Sequence, residues 1–260
     1  MTDQLIEDRR AEVHLSPSSL VKVLGQLRFP TIMNIERVVP AFQRRIAEWY
    51  PVLRPEKVHE AAFGPDGVTT KNVQLWRFWD LNQQWSVVLS ESFVAIETTN
   101  YTTRDDFVTR IETLLAALKS AKARPAVIDR LGLRYVNRLT GEDAEDLLPS
   151  LVSPQMHGLV GETLPGGMEV LLNVQHIRCK MNDSELQARW GRVGPNMMLV
   201  QDVDPVPGTS WLLDIDVYRE QTVPFDPAAI SAAAREACTH AYDFFRWTMT
   251  DSFFEARRAK

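Results

Sequence analysis

The chain has 260 residues, 45% of them hydrophobic, and a formal net charge of −5 at pH 7. The length exceeds one average domain, the hydrophobic share is typical of a globular protein, and the acidic balance argues against a general nucleic-acid binder. Two cysteines, Cys179 and Cys238, are too few and too far apart for a disulfide framework or a zinc site, which fits a reducing compartment. Because the sequence has neither a signal-peptide pattern nor eighteen consecutive apolar residues, it predicts a cytoplasmic protein outside the membrane.

Hydrophobic periodicity predicts a strand, a helix and several strands in the first part of the chain. Residues 20–29 alternate as a half-buried strand does, and residues 40–50 have apolar side chains at helical spacing and end before Pro51. Turn residues predict a loop at 64–67, and strands are predicted over 73–80, 85–89 and 93–99. Thr103, with Asp106 three residues later, is a capping pair that begins a helix. The apolar stripe of that helix is Phe107, Ile111, Leu114, Leu115 and Leu118.

The segment at 130–138 is the most informative in the chain because its side chains alternate strictly. As a strand it presents on one face the three basic residues Arg130, Arg134 and Arg138. The opposite face presents Leu131, Leu133 and Tyr135. Three guanidinium groups on one face require anions, either carboxylates of neighbouring strands such as Glu97 and Glu91 or phosphates of a ligand.

Residues 140–167 are rich in proline and glycine and are predicted to connect two halves, with one short helical patch at 142–148. Strands are then predicted over 168–180, 186–193, 197–203 and 211–219. Asp226 followed by Pro227 begins a helix whose apolar pattern continues to about residue 258. The breadth of its apolar arc indicates a helix between two layers, or one that docks on a partner. The partner-binding candidates on this helix are Tyr242, Phe245, Met249 and Phe253.

These elements predict an α+β fold with two strand-rich, largely antiparallel halves, each backed by a long helix. The predicted organisation is an N-terminal half at 1–139, a connection at 140–167 and a C-terminal half at 168–260. The two sheets are expected to adjoin or to be continuous.

Several segments resemble an uncharacterised, sporadically distributed family of bacterial proteins. They are residues 27–30, 85–89, 93–98 with Tyr101, 130–138, and parts of 240–251. The most specific of them is the strand motif Gly-Leu-Arg-Tyr-Val-Asn-Arg at 132–138. The resemblance brings no activity or catalytic residue with it, and a patchy distribution implies mobile defence, toxin–antitoxin or immunity loci.

Candidate ligand-binding residues come from the basic strand faces: Arg130, Arg134, Arg138, His176 and Arg178. Ion pairing within the sheet is the favoured interpretation, because Asp214 and Asp216 share one face of a neighbouring predicted strand. A nucleic-acid binder that uses these faces is one alternative. Another is an enzyme for a phosphorylated or nucleotide-like ligand, in which His176 would meet Asp214 or Glu97.

The sequence has no Gly-x-Ser-x-Gly, Walker or dinucleotide-binding glycine motif. Two pairs of acids, Asp202 with Asp204 and Asp214 with Asp216, have alternate spacing that a divalent metal could use, but such acids are commoner on exposed strands. We therefore predict no catalytic residue, metal ligand or cofactor. The preferred function is a non-enzymatic protein-binding module whose partner is encoded nearby, in an antitoxin, immunity or defence role.

Overall fold

The computed structural model describes residues 12–64, 67–121, 124–159, 162, 164–168 and 170–258. Within these residues, nine strands form one antiparallel sheet, and six α-helices accompany it. The strands are β1 (Leu20–Arg28), β2 (Val52–Gly64), β3 (Gly67–Trp79), β4 (Trp85–Leu89), β5 (Phe93–Thr98), β6 (Val127–Thr140), β7 (Leu172–Met181), β8 (Ser184–Val193) and β9 (Ser210–Pro224). The helices are α1 (Val39–Ile46), α2 (Arg104–Ser120), α3 (Glu142–Glu145), α4 (Leu148–Leu151), α5 (Pro227–Thr248) and α6 (Asp251–Arg257). This is an α+β fold, as predicted.

The strand order across the sheet is β2-β3-β4-β5-β1-β6-β9-β8-β7. The arginine-rich strand β6 lies near the centre, between β1 and β9, so strands from both sides of residues 140–167 enter one sheet. The two long helices, α2 and α5, contact each other, and α5 also packs on β6 and β9. The main core lies between these helices and one face of the sheet, which receives Leu131, Leu133 and Tyr135 from β6. The predicted alternation of β6 is therefore confirmed.

Both long helices begin where the sequence predicts. Thr103 is the N-cap of α2 and its hydroxyl accepts a hydrogen bond from the Asp106 backbone N–H at 3.1 Å. Asp226 is the N-cap of α5 and its carboxylate accepts from the Ala228 N–H at 3.0 Å. In each case the side chain satisfies one of the N–H groups that the first helical turn leaves without a partner.

The prediction of one C-terminal helix to about residue 258 is wrong. The helix α5 ends at Thr248. The extended backbone of Met249 then forms an isolated bridge with Val152, and α6 begins as a separate helix at Asp251. The Thr250 hydroxyl caps α6 by accepting from the Phe253 N–H and also donates to the Ser150 carbonyl at 2.6 Å. The apolar pattern continues across this break because both helices cover the same core, so periodicity alone does not reveal it.

Replacing Thr250 with alanine is expected to lower the free energy of unfolding by about 1 kcal/mol, since it removes an N-cap and a contact to the preceding segment. Thr250→Ser retains the hydroxyl and is the matched control, with a change below about 0.5 kcal/mol. Urea unfolding of the three proteins measures both values. An equal loss in the serine variant would mean that the methyl group, and not the cap, carries the effect.

Other boundaries differ from the prediction. Strand β2 is not predicted at all, and β3 begins at Gly67 instead of residue 73. The centre of the predicted 64–67 loop lies outside the described residues. Strand β7 begins at Leu172, and residues 197–203 form an irregular segment of bends and turns in place of the predicted strand. In that segment Val200 and Val203 pack against Val136 and Leu212. These apolar side chains are therefore buried against the sheet although the segment is not a strand of it.

In the described part of the chain, no helix is both long enough and apolar enough to cross a membrane.

Candidate functional site

The face of the sheet opposite α2 and α5 carries most of the predicted ligand-binding residues, and we call it the helix-free face. Its central strands β6 and β9 contribute Arg130, Arg134, Arg138, Asp214 and Asp216. The register places the arginines of one strand beside the aspartates of the other. The predicted basic and acidic faces therefore meet on the same side of one sheet.

Asp214 lies at the centre of this arrangement and is only 4% exposed. Its carboxylate accepts two hydrogen bonds from Arg134, at 2.6 Å from Nε and 2.8 Å from Nη2. Arg189 of β8 donates a third, at 2.8 Å. The hydrogen bond to Asp214 raises the pKa of Arg134. One buried carboxylate is thus shared by two guanidinium groups, and its charge balances part of theirs before any phosphate could.

The other two arginines of β6 have different partners. Arg130 donates to Asp216 at 2.9 Å and lies over the ring of Tyr218. Arg138 donates to the backbone carbonyl of Asp204 at 2.8 Å, and its Nε is buried without a hydrogen-bond partner. The nucleic-acid hypothesis requires open arginines, and on β6 only Arg138 lacks a carboxylate partner.

The sequence analysis proposed Glu97 as a carboxylate partner of the β6 arginines, and the structure gives it other partners. Glu97 of β5 pairs with Lys22 at 3.4 Å and with Arg77 at 3.1 Å, so it does not serve the arginines of β6. The pairing of Arg134 with Asp214 joins residues 80 positions apart in the chain. The β6–β9 register decides which acid lies beside which arginine. That register cannot be predicted from the sequence of either strand alone.

His176 and Arg178 lie on the exposed outer strand β7, and Arg178 pairs with Glu185 of β8. Arg189 of β8 stands between His176 and Asp214, which are two strands and therefore about 10 Å apart. Glu97 is farther away, because β5 and β7 are separated by four strands. The enzyme hypothesis needs His176 in contact with one of these acids, and the sheet keeps them apart.

Neither the thiol of Cys238 nor the pairs of acids that could have held a metal form a reactive centre in the described residues. Burial raises the pKa of the Cys238 thiol to about 11, so the thiolate needed for nucleophilic chemistry is scarce at neutral pH. No three His, Cys, Asp or Glu side chains within the described ranges come together in a group that could hold a metal ion.

The predicted partner-binding residues of the C-terminal helix require a correction. Phe245, Met249 and Phe253 are buried within the chain itself, and Tyr242 is half-buried. The rings of Phe245 and Phe253 meet edge to face at 5.8 Å, and the hydroxyl of Tyr242 accepts from the Val13 N–H at 3.0 Å. These side chains are covered by the chain itself and therefore offer little surface to a partner.

An exposed apolar surface occurs instead at the start of β7, and the sequence analysis missed it. It contains six of the thirteen large apolar side chains that are exposed in the described part of the chain. We call this surface the edge patch: Leu159, Leu171, Leu172, Val174, Met197 and Met198. Leu171, Leu172 and Met198 are 61%, 49% and 58% exposed. The sequence contains two short apolar runs at this surface, but both were assigned to strands.

The residues of the edge patch come from three segments that approach each other near the start of β7. The Leu159 N–H lies 3.4 Å from the side-chain oxygen of Asn173, which places Leu159 beside β7. Gly194, just after β8, lies against both the Leu171 carbonyl and the Met197 sulfur. Since β7 is the last strand in the sheet order, the patch surrounds an edge with no strand partner among the described residues.

No known protein-family model matches this chain, and no curated protein matches it either. The resemblance carried by the motif at 132–138 therefore stays a prediction.

Proposed function

We propose that the chain is a non-enzymatic protein-binding module that receives an extended segment of a partner protein along the outer edge of β7. The observation that carries this proposal is the edge patch, which concentrates exposed apolar side chains on an outermost strand. Exposed apolar surface costs free energy in water, and a sheet edge also presents backbone N–H and C=O groups that another strand can pair with.

The two edges of the sheet differ in a way that supports this choice. The opposite edge strand, β2, carries Arg54, Pro55 and Lys57 at exposed positions. Charges and proline on an edge strand discourage strand addition, because a charge resists burial and proline has no N–H to donate. The first residues of β7 have no such protection: Leu172 and Val174 are apolar and exposed.

The side chains of β7 define what the added strand should look like. On the helix-free face, Leu172 and Val174 are followed by His176, Arg178 and Lys180. Side chains of an added strand would lie opposite these on the same face. The partner segment therefore has apolar residues at alternate positions beside the edge patch and acidic residues beside His176 and Lys180. A product of a neighbouring gene, in an antitoxin, immunity or defence setting, would be a natural source.

We expect a displayed library of random peptides, panned on the wild-type protein, to yield extended sequences with this apolar and acidic alternation. Substituting Leu172→Arg or Val174→Arg should weaken a recovered peptide at least about tenfold, because strand addition would then bury a charge. Both side chains are exposed, so the substitutions leave the β7–β8 pairing intact. Isothermal titration calorimetry measures the affinities.

The matched control is Leu81→Arg, which introduces the same charge at a 79% exposed leucine in the turn between β3 and β4. It should leave the affinity unchanged. Hydrogen exchange should show protection of β7 amides when the peptide is bound. Recovered peptides that bind all three variants equally, or a library that enriches no sequence, would overturn the proposal.

A further inference from the structure

A cavity of about 90 Å³ lies beneath the segment that precedes β1. Residues 12–20 cover it, the sheet strands β6 and β9 form its floor, and α5 forms one wall. Its lining combines apolar and polar groups, among them Leu15, Tyr101, Tyr135, Ile215, Cys238 and Phe245. A space with an apolar body and a few convergent polar groups is the usual form of a small-molecule site.

Two buried donors in this region lack hydrogen-bond partners, and one of them, the Tyr135 hydroxyl, belongs to a residue that lines the cavity. Tyr135 lines the cavity and is 8% exposed, and its hydroxyl forms no hydrogen bond of normal geometry, although Cys238 and Tyr101 lie close enough to affect its pKa. Nη2 of Arg104 is also buried and unpartnered, while its guanidinium lies 5.8 Å from the ring centre of Tyr242. Burial raises the pKa of Tyr135, so the hydroxyl keeps its proton. Buried donors without acceptors are rare in native proteins and often indicate an absent partner.

The mouth of the cavity already holds a carboxylate, supplied by the chain itself. Glu12 accepts a hydrogen bond from the Tyr101 hydroxyl at 2.8 Å and another from the Arg104 backbone N–H at 2.7 Å. Arg104 is the first residue of α2, where free N–H groups and the helix dipole favour an anion. Glu12 is an exposed residue, so its side chain can leave this position for solvent while residues 13–20 stay in place.

We infer that the cavity binds a small aromatic carboxylic acid, whose carboxylate displaces that of Glu12. The carboxylate accepts from the hydroxyls of Tyr101 and Tyr135 and from the Arg104 backbone N–H, which gives the unpartnered Tyr135 hydroxyl an acceptor. The ring occupies the apolar part of the cavity beside Ile215 and Phe245. This inference is independent of the edge patch, which shares no residue with the lining of the cavity.

The probe that tests it is 4-fluorophenylacetate, followed by its fluorine NMR signal, with 4-fluorophenylacetamide as the uncharged counterpart. Wild-type protein should bind the acid at least tenfold more tightly than the amide. Glu12→Gln should bind the acid about tenfold more tightly than wild type, because the competing charge is gone. Tyr135→Phe should bind it about tenfold more weakly.

Tyr135→Phe removes a hydroxyl that has no partner in the free protein, so its thermal stability should match or exceed that of wild type. A loss of binding without a loss of stability separates a ligand contact from a structural role. The control Tyr218→Phe removes a hydroxyl on the helix-free face, bonded to Glu185, and should leave binding unchanged. Equal binding of acid and amide, binding unaffected by Tyr135→Phe, or no binding to wild type and Glu12→Gln would each overturn the inference.

Discussion

Replacing Asp214 with asparagine is expected to lower the free energy of unfolding by about 3 kcal/mol, since it leaves two guanidinium groups without their shared counter-charge. Asparagine preserves the shape of the side chain, so the loss reports the charge and not a cavity. Arg134 and Arg189 keep 25% and 36% of their side-chain surface exposed, which limits the penalty by letting water reach them. Urea unfolding at neutral pH measures the difference.

Asp216 is the matched control, because it lies two residues along the same strand face and pairs with Arg130 alone. Burial outweighs its arginine neighbours and raises the pKa of Asp216, so the fold favours the protonated form. Its contribution to stability is therefore most favourable below its unfolded pKa and declines as the pH rises through the folded pKa. Asp216→Asn should cost less than about 1 kcal/mol at pH 7. An equal loss of unfolding free energy in the two variants would show that sharing Asp214 between two arginines adds no stability beyond a single pair.

Local patterns predicted the elements whose causes are local. Strand β6 was predicted because every second side chain is apolar, and one face of it is buried. Helix α2 was predicted because a capping pair and an apolar stripe coincide in one segment. The order of strands, in contrast, joins β6 to β9 across most of the C-terminal half, and no local pattern encodes that pairing.

The errors also have physical causes. Strand β2 was missed because an edge strand paired only with β3 can tolerate Pro55 and several charges, which obscures its alternation. Residues 197–203 were assigned to a strand because Val200 and Val203 are apolar, yet these side chains cover a small cluster from a loop. The break at Met249 was missed because the core below α5 continues below α6.

The candidate sites also separate into residues that local patterns identify and arrangements that only the fold creates. The sequence identified the arginines of β6 and the acids of β9 but could not decide whether they pair, because that depends on register. It could not identify the cavity, whose polar groups come from β6, α5 and the segments before β1 and α2. Glu12, Tyr101 and Tyr135 are far apart in the chain, and only the fold brings them together.

Gly191→Ala is expected to be the other strongly destabilising substitution, at about 2–4 kcal/mol. Gly191 lies in β8 with φ +149°, a conformation that side chains disfavour. An added Cβ would lie 1.8 Å from the carbonyl oxygen of Asn173 in β7, so the backbone of one strand has to move. The two strands are neighbours at this position, and β7 has no second strand to hold it among the described residues.

The displacement should be local to β7, which makes it a second test of the edge patch. In Gly191→Ala, hydrogen exchange should accelerate at the start of β7 and stay slow in the central strands β1 and β6, since only the outer strand loses its pairing. The affinity of the Gly191→Ala variant for a peptide at the β7 edge should also fall, because Leu172 and Val174 are displaced. Gly208→Ala is the control: its added Cβ meets nothing within 4 Å, so stability and binding should both be unchanged. If Gly191→Ala behaves like this control, the β7–β8 register is wrong, and an edge patch that depends on that register cannot be the docking surface.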